Sequence, residues 1–234
     1  MENRIPSGSK ILDRMLNGGY EKDVITTIYG PAASGKTILC LLCAINAARN
    51  GKKVIYVDTE NGFSIERLRQ IALDYKKILG QMVFLRPTTF EEQKKAFEKL
   101  KVIISEKVGL IVVDTISMLY RLEMGQSDNV YEVNKELGNQ IGYLNEIARK
   151  KHMPVLITNQ VYADFEDKEK IKMVGGDLLK YGSKCLIELQ ITPAGNRRAI
   201  LRKHRSLQAD QEITFKIVEG GVIGTKEGKG FKIF

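Results

Sequence analysis

The feature that most constrains this 234-residue chain is a complete phosphate-loop motif. It reads Gly30, Pro31, Ala32, Ala33, Ser34, Gly35, Lys36 and Thr37. The pattern G-x-x-x-x-G-K-[ST] lets the backbone wrap a phosphate with its N–H groups, and the following helix N-terminus adds partial positive charge. The whole motif is therefore predicted to bind ATP, with Lys36 neutralising β- and γ-phosphate oxygens and Thr37 holding the bridging Mg²⁺.

Short apolar strands alternate with helices on both sides of this motif. Strands are predicted at Val24–Tyr29, Val54–Asp58, Val83–Leu85, Leu110–Asp114 and Pro154–Thr158. Helices are predicted from about Gly35 to Asn50, near Ile65 to Leu79, near Phe90 to Glu106 and from Asp128 to Lys150. Fully apolar strands separated by helices indicate an α/β fold with a mainly parallel sheet that is covered on both faces.

The C-terminal part of the chain has a different pattern. Cys185–Thr192 and Arg198–Lys203 flank a turn and are typical of a hairpin, and Ile213–Val218 is predicted to be a further strand. The sheet is therefore predicted to gain antiparallel strands at its C-terminal edge. Before them, Ala163–Val174 is charged and lacks a clear period, so a mobile loop is predicted there.

Three polar residues follow predicted parallel strands, whose carboxyl ends share one edge with the phosphate loop. Asp114 is the candidate magnesium partner, although many buried strands end in Asp for capping alone. Glu60 is the candidate for orienting water, because Thr115 rather than a carboxylate follows Asp114; an exposed loop glutamate is the alternative. Gln160 is placed to sense the γ-phosphate, or is an ordinary polar residue at a strand end.

The net charge and the length of the apolar runs indicate which partners and which location to expect. The chain has 37 Lys and Arg against 28 Asp and Glu, a net charge of +9 that favours an anionic partner. Its longest apolar run, Ile38–Ile45, is far shorter than the roughly 20 residues of a membrane span, and no secretory signal precedes it. A cytoplasmic protein without a membrane partner is expected. Cys40 and Cys43 lie in that run and are predicted to be buried thiols rather than a redox pair.

Several segments, in this order, resemble the core of RecA-like recombinases. They are Ser7-Gly8 with Leu12-Asp13 and Gly18-Gly19, the phosphate loop, Tyr56–Glu60, Val112–Asp114 and Ile157–Val161. Within that superfamily the chain is most similar to the short archaeal paralogues of the RadA recombinase, because it begins at the core. The resemblance implies a single RecA-like ATPase core over residues 1–234, without the N-terminal helical domain of RadA.

The resemblance also implies roles for individual residues. Glu60 corresponds to the glutamate that activates water, Asp114 to the Walker B aspartate, and Gln160 to the switch residue that couples nucleotide to the DNA-binding loops. Together with Lys36, Glu60 and Gln160 form the implied catalytic set. Arg67 is similar to the arginine that stacks on adenine in the family.

Two segments match the DNA-binding loops of the family. Tyr120–Asn129, with Arg121 as its basic residue, resembles the first loop, and Ala163–Val174 resembles the second. The second departs from what a DNA loop should look like, because its four acidic residues outnumber its three lysines. The second loop is therefore expected to bind phosphates poorly.

The strongest basic cluster lies elsewhere, in a nine-residue stretch without an acid. Its members are Arg197, Arg198, Arg202, Lys203, His204 and Arg205. In an extended strand, Arg198, Arg202 and His204 would share one face and could contact DNA phosphates. Lys203 and Arg205 would project to the other face, and they resemble the Lys-x-Arg finger of KaiC-like ATPases, which reaches a neighbouring subunit's nucleotide. A solvated basic edge that discourages strand pairing is the alternative.

Together these features predict an ATP- and Mg²⁺-binding accessory protein of homologous recombination and DNA repair that binds single-stranded DNA. Nucleotide is expected to act mainly as a switch, with weak ATP hydrolysis at most. The resemblance implies a RadA-type recombinase and a junction nuclease as partners, and it leaves a homo-oligomer open. A KaiC-like ring-forming signalling ATPase that acts on protein partners is the alternative, and a nucleotide-stabilised scaffold with negligible catalysis is a third.

Overall fold

The computed structural model describes residues 3–163 and 171–225. The strands are β1 (Arg4–Ile5), β2 (Tyr20–Glu21), β3 (Ile25–Gly30), β4 (Lys53–Asp58), β5 (Met82–Leu85), β6 (Val108–Asp114), β7 (Val155–Ala163), β8 (Ile171–Met173), β9 (Cys185–Ile191), β10 (Arg197–Lys203), β11 (Glu212–Val218) and β12 (Gly221–Gly224). The helices are α1 (Lys10–Met15), α2 (Lys36–Arg49), α3 (Ile65–Ile71), α4 (Tyr75–Leu79), α5 (Phe90–Ile103), α6 (Met118–Met124), α7 (Val130–Lys151) and α8 (Gly176–Gly182).

The large sheet runs in the order β12-β11-β10-β9-β3-β7-β6-β4-β5, and β8 pairs with the end of β7. The strands from β9 to β5 in this order are parallel, and β10, β11 and β12 each pair antiparallel with their neighbours. This confirms the predicted mainly parallel sheet with antiparallel strands at its C-terminal edge. Because β3 lies in the middle, the phosphate loop leaves the sheet at its centre.

Alternate residues of the central strands face opposite sides of the sheet. In β4, Val54 and Tyr56 belong to the apolar cluster that contains α2, and Ile55 and Val57 belong to the cluster that contains α5 and α7. All four are fully buried. Burial of a side chain of this size stabilises the fold by about 1.5–3 kcal/mol. The two clusters fix the carboxyl ends of the strands, and with them the polar residues that follow.

The helix that follows the phosphate loop is buried on nearly all sides, which is why its sequence is apolar rather than amphipathic. Cys40 and Cys43 are fully buried and free, as predicted. Burial raises the pKa of both thiols well above the usual value, so neither is a reactive thiolate.

The 22-residue α7 is amphipathic, as its spacing predicts. Leu137, Ile141, Leu144 and Ala148 lie on the buried face, at helical intervals of three and four residues. Within residues 3–163 and 171–225, no helix has both the length and the apolar character needed to cross a membrane.

The single helix predicted near Ile65 to Leu79 is wrong, because it is interrupted. α3 ends where Ala72 adopts an extended conformation, and α4 begins after Asp74. The Asp74 carboxylate binds the Arg49 guanidinium of α2 at 2.6 Å. At this break Ala72 is buried in the core that contains α2, and Asp74 contacts the end of the same helix.

Both predicted DNA loops are shorter than expected. Met118–Met124 forms α6, so only the second half of the first segment is a loop. In the second segment, residues 171–173 pair antiparallel with residues 161–163, where a loop was expected from Ala163 onward. Residues 164–170, with the four acidic side chains, lie outside the described part of the chain.

Candidate functional site

The phosphate loop bends sharply where it joins α2. Gly35 caps that helix with a φ of 103°, a left-handed conformation that favours glycine. A Cβ at Gly35 would lie 3.2 Å from Cδ1 of Ile217, so the loop packs closely against β11. The loop forms one wall of a cavity of about 340 Å³, and residues at or just beyond the carboxyl ends of β4, β6 and β7 form other walls.

Lys36 is buried in the wall of this cavity. Its ammonium group donates hydrogen bonds of 2.9 Å to the carbonyl oxygens of Gly30 and Pro31. Burial lowers the pKa of Lys36, and the carboxylates of Glu60 and Asp114 oppose that shift. An ammonium and two carboxylates thus line one space, which suits a ligand that combines phosphate oxygens with a metal cation.

Asp114 is held by two hydroxyl groups from the neighbouring strands. Its Oδ2 accepts a hydrogen bond of 3.0 Å from Tyr56, and its Oδ1 accepts one of 2.5 Å from Thr158. Burial, followed by the Asp114 charge, raises the pKa of Tyr56, so this phenol stays a donor. Because both donors are neutral hydroxyl groups, they fix the position of the carboxylate without pairing it with a cation.

Glu60 and Gln160 meet at the mouth of the cavity. Gln160 Nε2 donates to Glu60 Oε1 at 2.7 Å, and the Thr115 hydroxyl donates to the same oxygen at 2.9 Å. The prediction placed Glu60 and Gln160 on one rim, and the structure brings them into direct contact. Thr115 occupies the position where a second carboxylate was missing, and it orients Glu60 instead.

The end of β7 is also joined to the chain that returns from residues 164–170. The Val174 N–H donates to the Gln160 carbonyl at 3.2 Å, and Asn159 Nδ2 donates to the Val174 carbonyl at 2.9 Å. Asn159 is fully buried, and its Oδ1 has no hydrogen-bond partner. Gln160 therefore contacts the cavity through its side chain and the returning segment through its backbone.

Two arginines brace the other end of the cavity. Arg67 donates to the carbonyl oxygens of Val218 and Glu219 at 2.6 and 3.0 Å and lines the cavity. Arg197 donates to the Ala33 carbonyl of the phosphate loop at 3.1 Å. β10 and β11 thus help to shape a loop that lies more than 160 residues earlier in the chain.

The residues present fit a magnesium nucleotide. Thr37 and Asp114 both line the cavity and supply oxygen ligands of the kind that Mg²⁺ prefers. The Ser34 hydroxyl, within the loop, is buried without a hydrogen-bond partner. A buried hydroxyl group without a hydrogen-bond partner destabilises the fold, and a phosphate oxygen could accept a hydrogen bond from it.

The first predicted DNA loop presents one cation and buries its aromatic residue. Arg121 is exposed on α6. Tyr120 is only 6% exposed, and its hydroxyl donates to Asn134 at 2.9 Å. Tyr120 is therefore a packing residue, and Arg121 is the exposed basic residue of this segment.

The basic cluster after β9 is held largely by acids of the same chain. Arg202 binds the carboxylates of Glu188 and Asp210, each at 2.7 Å. Arg205 binds Glu21 at 2.8 Å. Both arginines remain more than one third exposed, so their outer edges still face solvent.

The remaining cations of the cluster have weaker or neutral partners. Lys203 donates to the carbonyl oxygens of Lys180 and Ser183 at 2.7 and 2.8 Å. Arg198 lies 3.9 Å from the Glu212 carboxylate and is 40% exposed. Arg198 and Lys203 therefore keep most of their charge unneutralised.

Strand alternation in this cluster ends at Lys203. A register shift separates Leu201 from Lys203, and β10 stops there. His204 and Arg205 then both turn toward Glu21, at 3.8 and 2.8 Å. The expected placement of these two residues on opposite faces is wrong, because the strand does not continue past Lys203. Their proposed roles in DNA or nucleotide contact stay predictions.

Sequence reasoning missed the groups that position the carboxylates. They are Tyr56, Thr115 and Thr158. It also missed the contact of Arg197 with the phosphate loop. Tyr56 and Thr158 lie within otherwise apolar strands. A hydroxyl group inside such a strand was the signal that could have predicted a buried hydrogen-bond donor. No short motif marks Arg197, since its partner is a distant backbone carbonyl.

Comparisons with known proteins agree with this geometry. The Rad51 family model matches residues 3–225. Similar curated proteins are each described as "DNA repair and recombination protein RadB". That of Methanobrevibacter smithii is 43% identical over 94% of this chain and 96% of its own, and that of Methanocaldococcus jannaschii is 44% identical over 91% and 98%. The crystal structure of the RadB recombinase superposes with a TM-score of 0.81 at 36% identity, covering 95% of this chain and 100% of that chain.

Proposed function

Because the chain belongs to the Rad51 family, we propose that it is an accessory protein of homologous recombination and DNA repair that binds ATP and single-stranded DNA. Nucleotide acts mainly as a switch. Gln160 supports this most directly, since it donates to Glu60 at the cavity and holds Val174 through its backbone. A change at the cavity mouth therefore has a short covalent and hydrogen-bonded route to the segment between β7 and β8.

The phosphate loop supplies the binding energy for the triphosphate. Backbone N–H groups of Gly30–Thr37 and the Lys36 ammonium would hold its oxygens, and Thr37 with Asp114 would hold Mg²⁺. The metal neutralises phosphate charge when it is bound. Arg67 borders the same cavity and is the candidate for contact with the base.

Hydrolysis is expected to be slow. Glu60 accepts hydrogen bonds from Thr115 and Gln160, which hold it ready to orient a water molecule. A cation supplied by a neighbouring subunit can contribute 10³ to 10⁵ in rate. Here Lys203 and Arg205 are occupied by partners in their own chain, so this contribution would be weak.

A groove beside the basic cluster fits single-stranded DNA. It has a volume of about 760 Å³ and is lined by Tyr162, Lys180, Arg202 and Lys203 among others. Tyr162 is 43% exposed. Exposed aromatic rings that stack on bases, combined with cations that track phosphates, are the usual means of binding single strands. Arg121 and Arg198 are further candidate phosphate contacts.

Recombination is a better fit than the KaiC-like ring ATPase. The curated relatives are RadB proteins of DNA repair and recombination, and they match this chain over nearly its whole length. Protein partners of the RadA type, and a junction nuclease, follow from the same proposal. A single RecA-like core over residues 1–234 remains part of it.

The switch can be tested by titrating labelled single-stranded DNA with no nucleotide, with ADP and with a non-hydrolysable ATP analogue. The ATP analogue should change DNA affinity by about fivefold or more, as expected for a coupled pair of sites. At two salt concentrations, log affinity should fall with a slope of about −0.7 per neutralised phosphate. Equal affinity in all three nucleotide states would remove the switch, and an affinity that ignores salt would remove the phosphate contacts.

A matched pair of variants sharpens the test. Gln160→Ala should still bind ATP but lose the nucleotide response of DNA binding, because the side-chain contact with Glu60 is gone. Asn139→Ala changes an exposed amide on α7 that lines neither the cavity nor a proposed DNA contact, and it should respond like the unaltered protein. A full response in Gln160→Ala would show that the coupling runs elsewhere.

A further inference from the structure

A second cavity, of about 410 Å³, lies at the opposite edge of the sheet from the phosphate loop. It is built by the loops that precede the parallel strands β3, β4, β6 and β7. Its floor is apolar: Val108 and Met153 are buried there, beside Ile5 and Pro154. None of the proposed nucleotide or DNA residues lines this cavity.

The rim of this cavity is basic. Lys22, Lys52 and Lys151 line it, against a single carboxylate, Glu106. Glu106 pairs with Lys151 at 2.8 Å. The lysines and the glutamate of the lining together carry a net charge of +2, three positive charges against one negative.

The rim is a packed structure and not a set of loose side chains. The stem of Lys52 lies over Gly109, where a Cβ would approach Lys52 Cβ to 2.7 Å. On the other wall, Asn46 donates to the Pro6 carbonyl at 3.1 Å, and Asn50 donates to the Asn46 carbonyl at 2.8 Å. Only a glycine at position 109 leaves room for the lysine to cross the strand.

The chemistry of the lining selects the kind of ligand. α2 and α7 end here, so they present carbonyl groups and offer no N-terminal amides for a bare phosphate. The cavity lining contains no Phe, Tyr or Trp to form a stacking platform for bases, and its one ring is the imidazole of exposed His152. An apolar floor below lysines fits a peptide in which one apolar side chain is flanked by carboxylates.

This chain contains such a peptide. Asp164-Phe165-Glu166-Asp167 places one aromatic residue between acids, and it lies outside the described residues. It cannot reach the cavity of its own molecule. β7 runs from the cavity edge at Val155 to Ala163, roughly 27 Å away at 3.3 Å per residue. A seven-residue connection anchored at both ends extends no more than roughly 14 Å from its anchors.

We propose that the segment from Asp164 to Asp167 of one copy docks in the basic cavity of a second copy. Phe165 would fill the apolar floor, and the flanking carboxylates would face Lys52 and Lys151. The two surfaces lie at opposite ends of the molecule, so the contact is head to tail and propagates into a ring or a chain. It explains why the segment that resembles a DNA loop is acidic, and it can be tested without nucleotide.

The test is a titration of the full-length protein against a fluorescently labelled peptide of residues 161–170. Binding at low salt should weaken about tenfold or more when Lys52→Glu reverses one rim charge. Lys99→Glu makes the same charge change on an exposed face of α5 and should leave the affinity unaltered. Equal binding by both variants would overturn the proposal.

Peptide variants make the test independent of how the protein variants fold. Peptides with Phe165→Ala, or with Asp164→Asn, Glu166→Gln and Asp167→Asn together, should each bind at least about fivefold more weakly. Undiminished binding of either variant peptide would overturn the assigned contacts. The proposal would also fail if single-stranded DNA displaced the peptide and its own binding were weakened equally by Lys52→Glu.

Sedimentation of the full chain decides whether the partner is a second copy. Self-association should occur at concentrations near the peptide dissociation constant, decline with salt and be reduced by Lys52→Glu but not by Lys99→Glu. Mixing Lys52→Glu with Asp167→Lys protein should restore association through the swapped charges. A monomer at concentrations well above that constant would exclude the head-to-tail contact. This outcome is separate from the test of nucleotide binding, in which Lys36→Ala is expected to lose ATP affinity.

Discussion

The rim of the phosphate-loop cavity and the basic cluster after β9 both gather polar side chains from distant parts of the chain, but they hold them differently. At the rim, Asp114 and Glu60 are positioned by hydroxyl and amide donors, which carry no charge. In the basic cluster, Arg202 and Arg205 are positioned by carboxylates. Neutral donors fix a charge and leave it available, whereas an ion pair fixes a charge by neutralising it.

This difference shows that a charge count along the sequence does not measure the charge that a ligand meets. The rim has few ionised groups, and each faces the cavity. The basic cluster has the densest run of cations in the chain, and several of them stabilise its own fold. Variants at the rim should therefore alter ligand chemistry, and those in the cluster should alter stability first.

The largest effect is expected from Lys36→Ala. Removal of the only lysine that lines the described cavity should weaken ATP binding by about 100-fold or more, since no other ammonium replaces it. Isothermal titration calorimetry measures the loss, with Lys99→Ala as a control at an exposed site. Wild-type affinity in Lys36→Ala would remove the phosphate loop from the nucleotide site.

Glu60→Gln should separate binding from turnover. ATP affinity should stay within about twofold, because the amide keeps an oxygen that accepts from Thr115. Residual hydrolysis should fall by about 100-fold, the size of a lost general base. ADP release over hours gives the rate, and Glu98→Gln on α5 is the matched control. Unchanged turnover would mean that another group positions the water.

Arg205→Ala should act on the fold. It leaves buried Glu21 without its closest cation, and the free energy of unfolding should fall by about 1 kcal/mol, a value reduced for solvent screening because Arg205 is 36% exposed. Urea unfolding measures this. Arg198→Ala, whose nearest carboxylate is 3.9 Å away, should change stability by less than about 0.5 kcal/mol. If Arg205→Ala lost DNA affinity without losing stability, the contrast between cluster and rim would fail.

The smallest effect is a pH dependence from His204. Burial lowers its pKa below the ordinary value, with Arg4 and Arg205 assisting and Glu21 opposing. Its Nδ1 accepts from the backbone N–H groups of residues 206 and 207, which requires the unprotonated nitrogen.

The unfolded chain therefore binds a proton more readily, and stability should fall as the pH drops below the unfolded pKa of about 6.5. Urea midpoints at pH 8 and pH 5.5 should differ less in His204→Asn than in the unaltered protein. His152→Asn, at an exposed position, is the control. An identical pH response in His204→Asn would assign the dependence to other groups.

Much of the fold follows from patterns that are local in the sequence. The apolar strands are short and closely bounded, so β3, β4 and β6 begin and end within two residues of the predicted limits. β7 begins within one residue of its predicted start but continues five residues past the predicted end at Thr158, to Ala163. The shared rim of Glu60, Asp114 and Gln160 followed from the rule that parallel strands end at one edge. Their catalytic and metal-binding roles remain predictions.

What could not be predicted depends on partners that are distant in sequence. The break before α4 places Asp74 against Arg49 of α2, and the end of β10 coincides with a register shift against β9. Thr115 became a partner of Glu60 only when two strand ends were brought together. No window of neighbouring residues contains that information.

The central place of β3 has a consequence for biosynthesis. It pairs only with β7 and β9, which the ribosome makes more than 120 residues later. Arg197, which supports the loop at Ala33, emerges later still. A nascent chain therefore carries the phosphate-loop residues long before the strands beside them exist, and the cavity forms only when the far half of the polypeptide has joined the sheet.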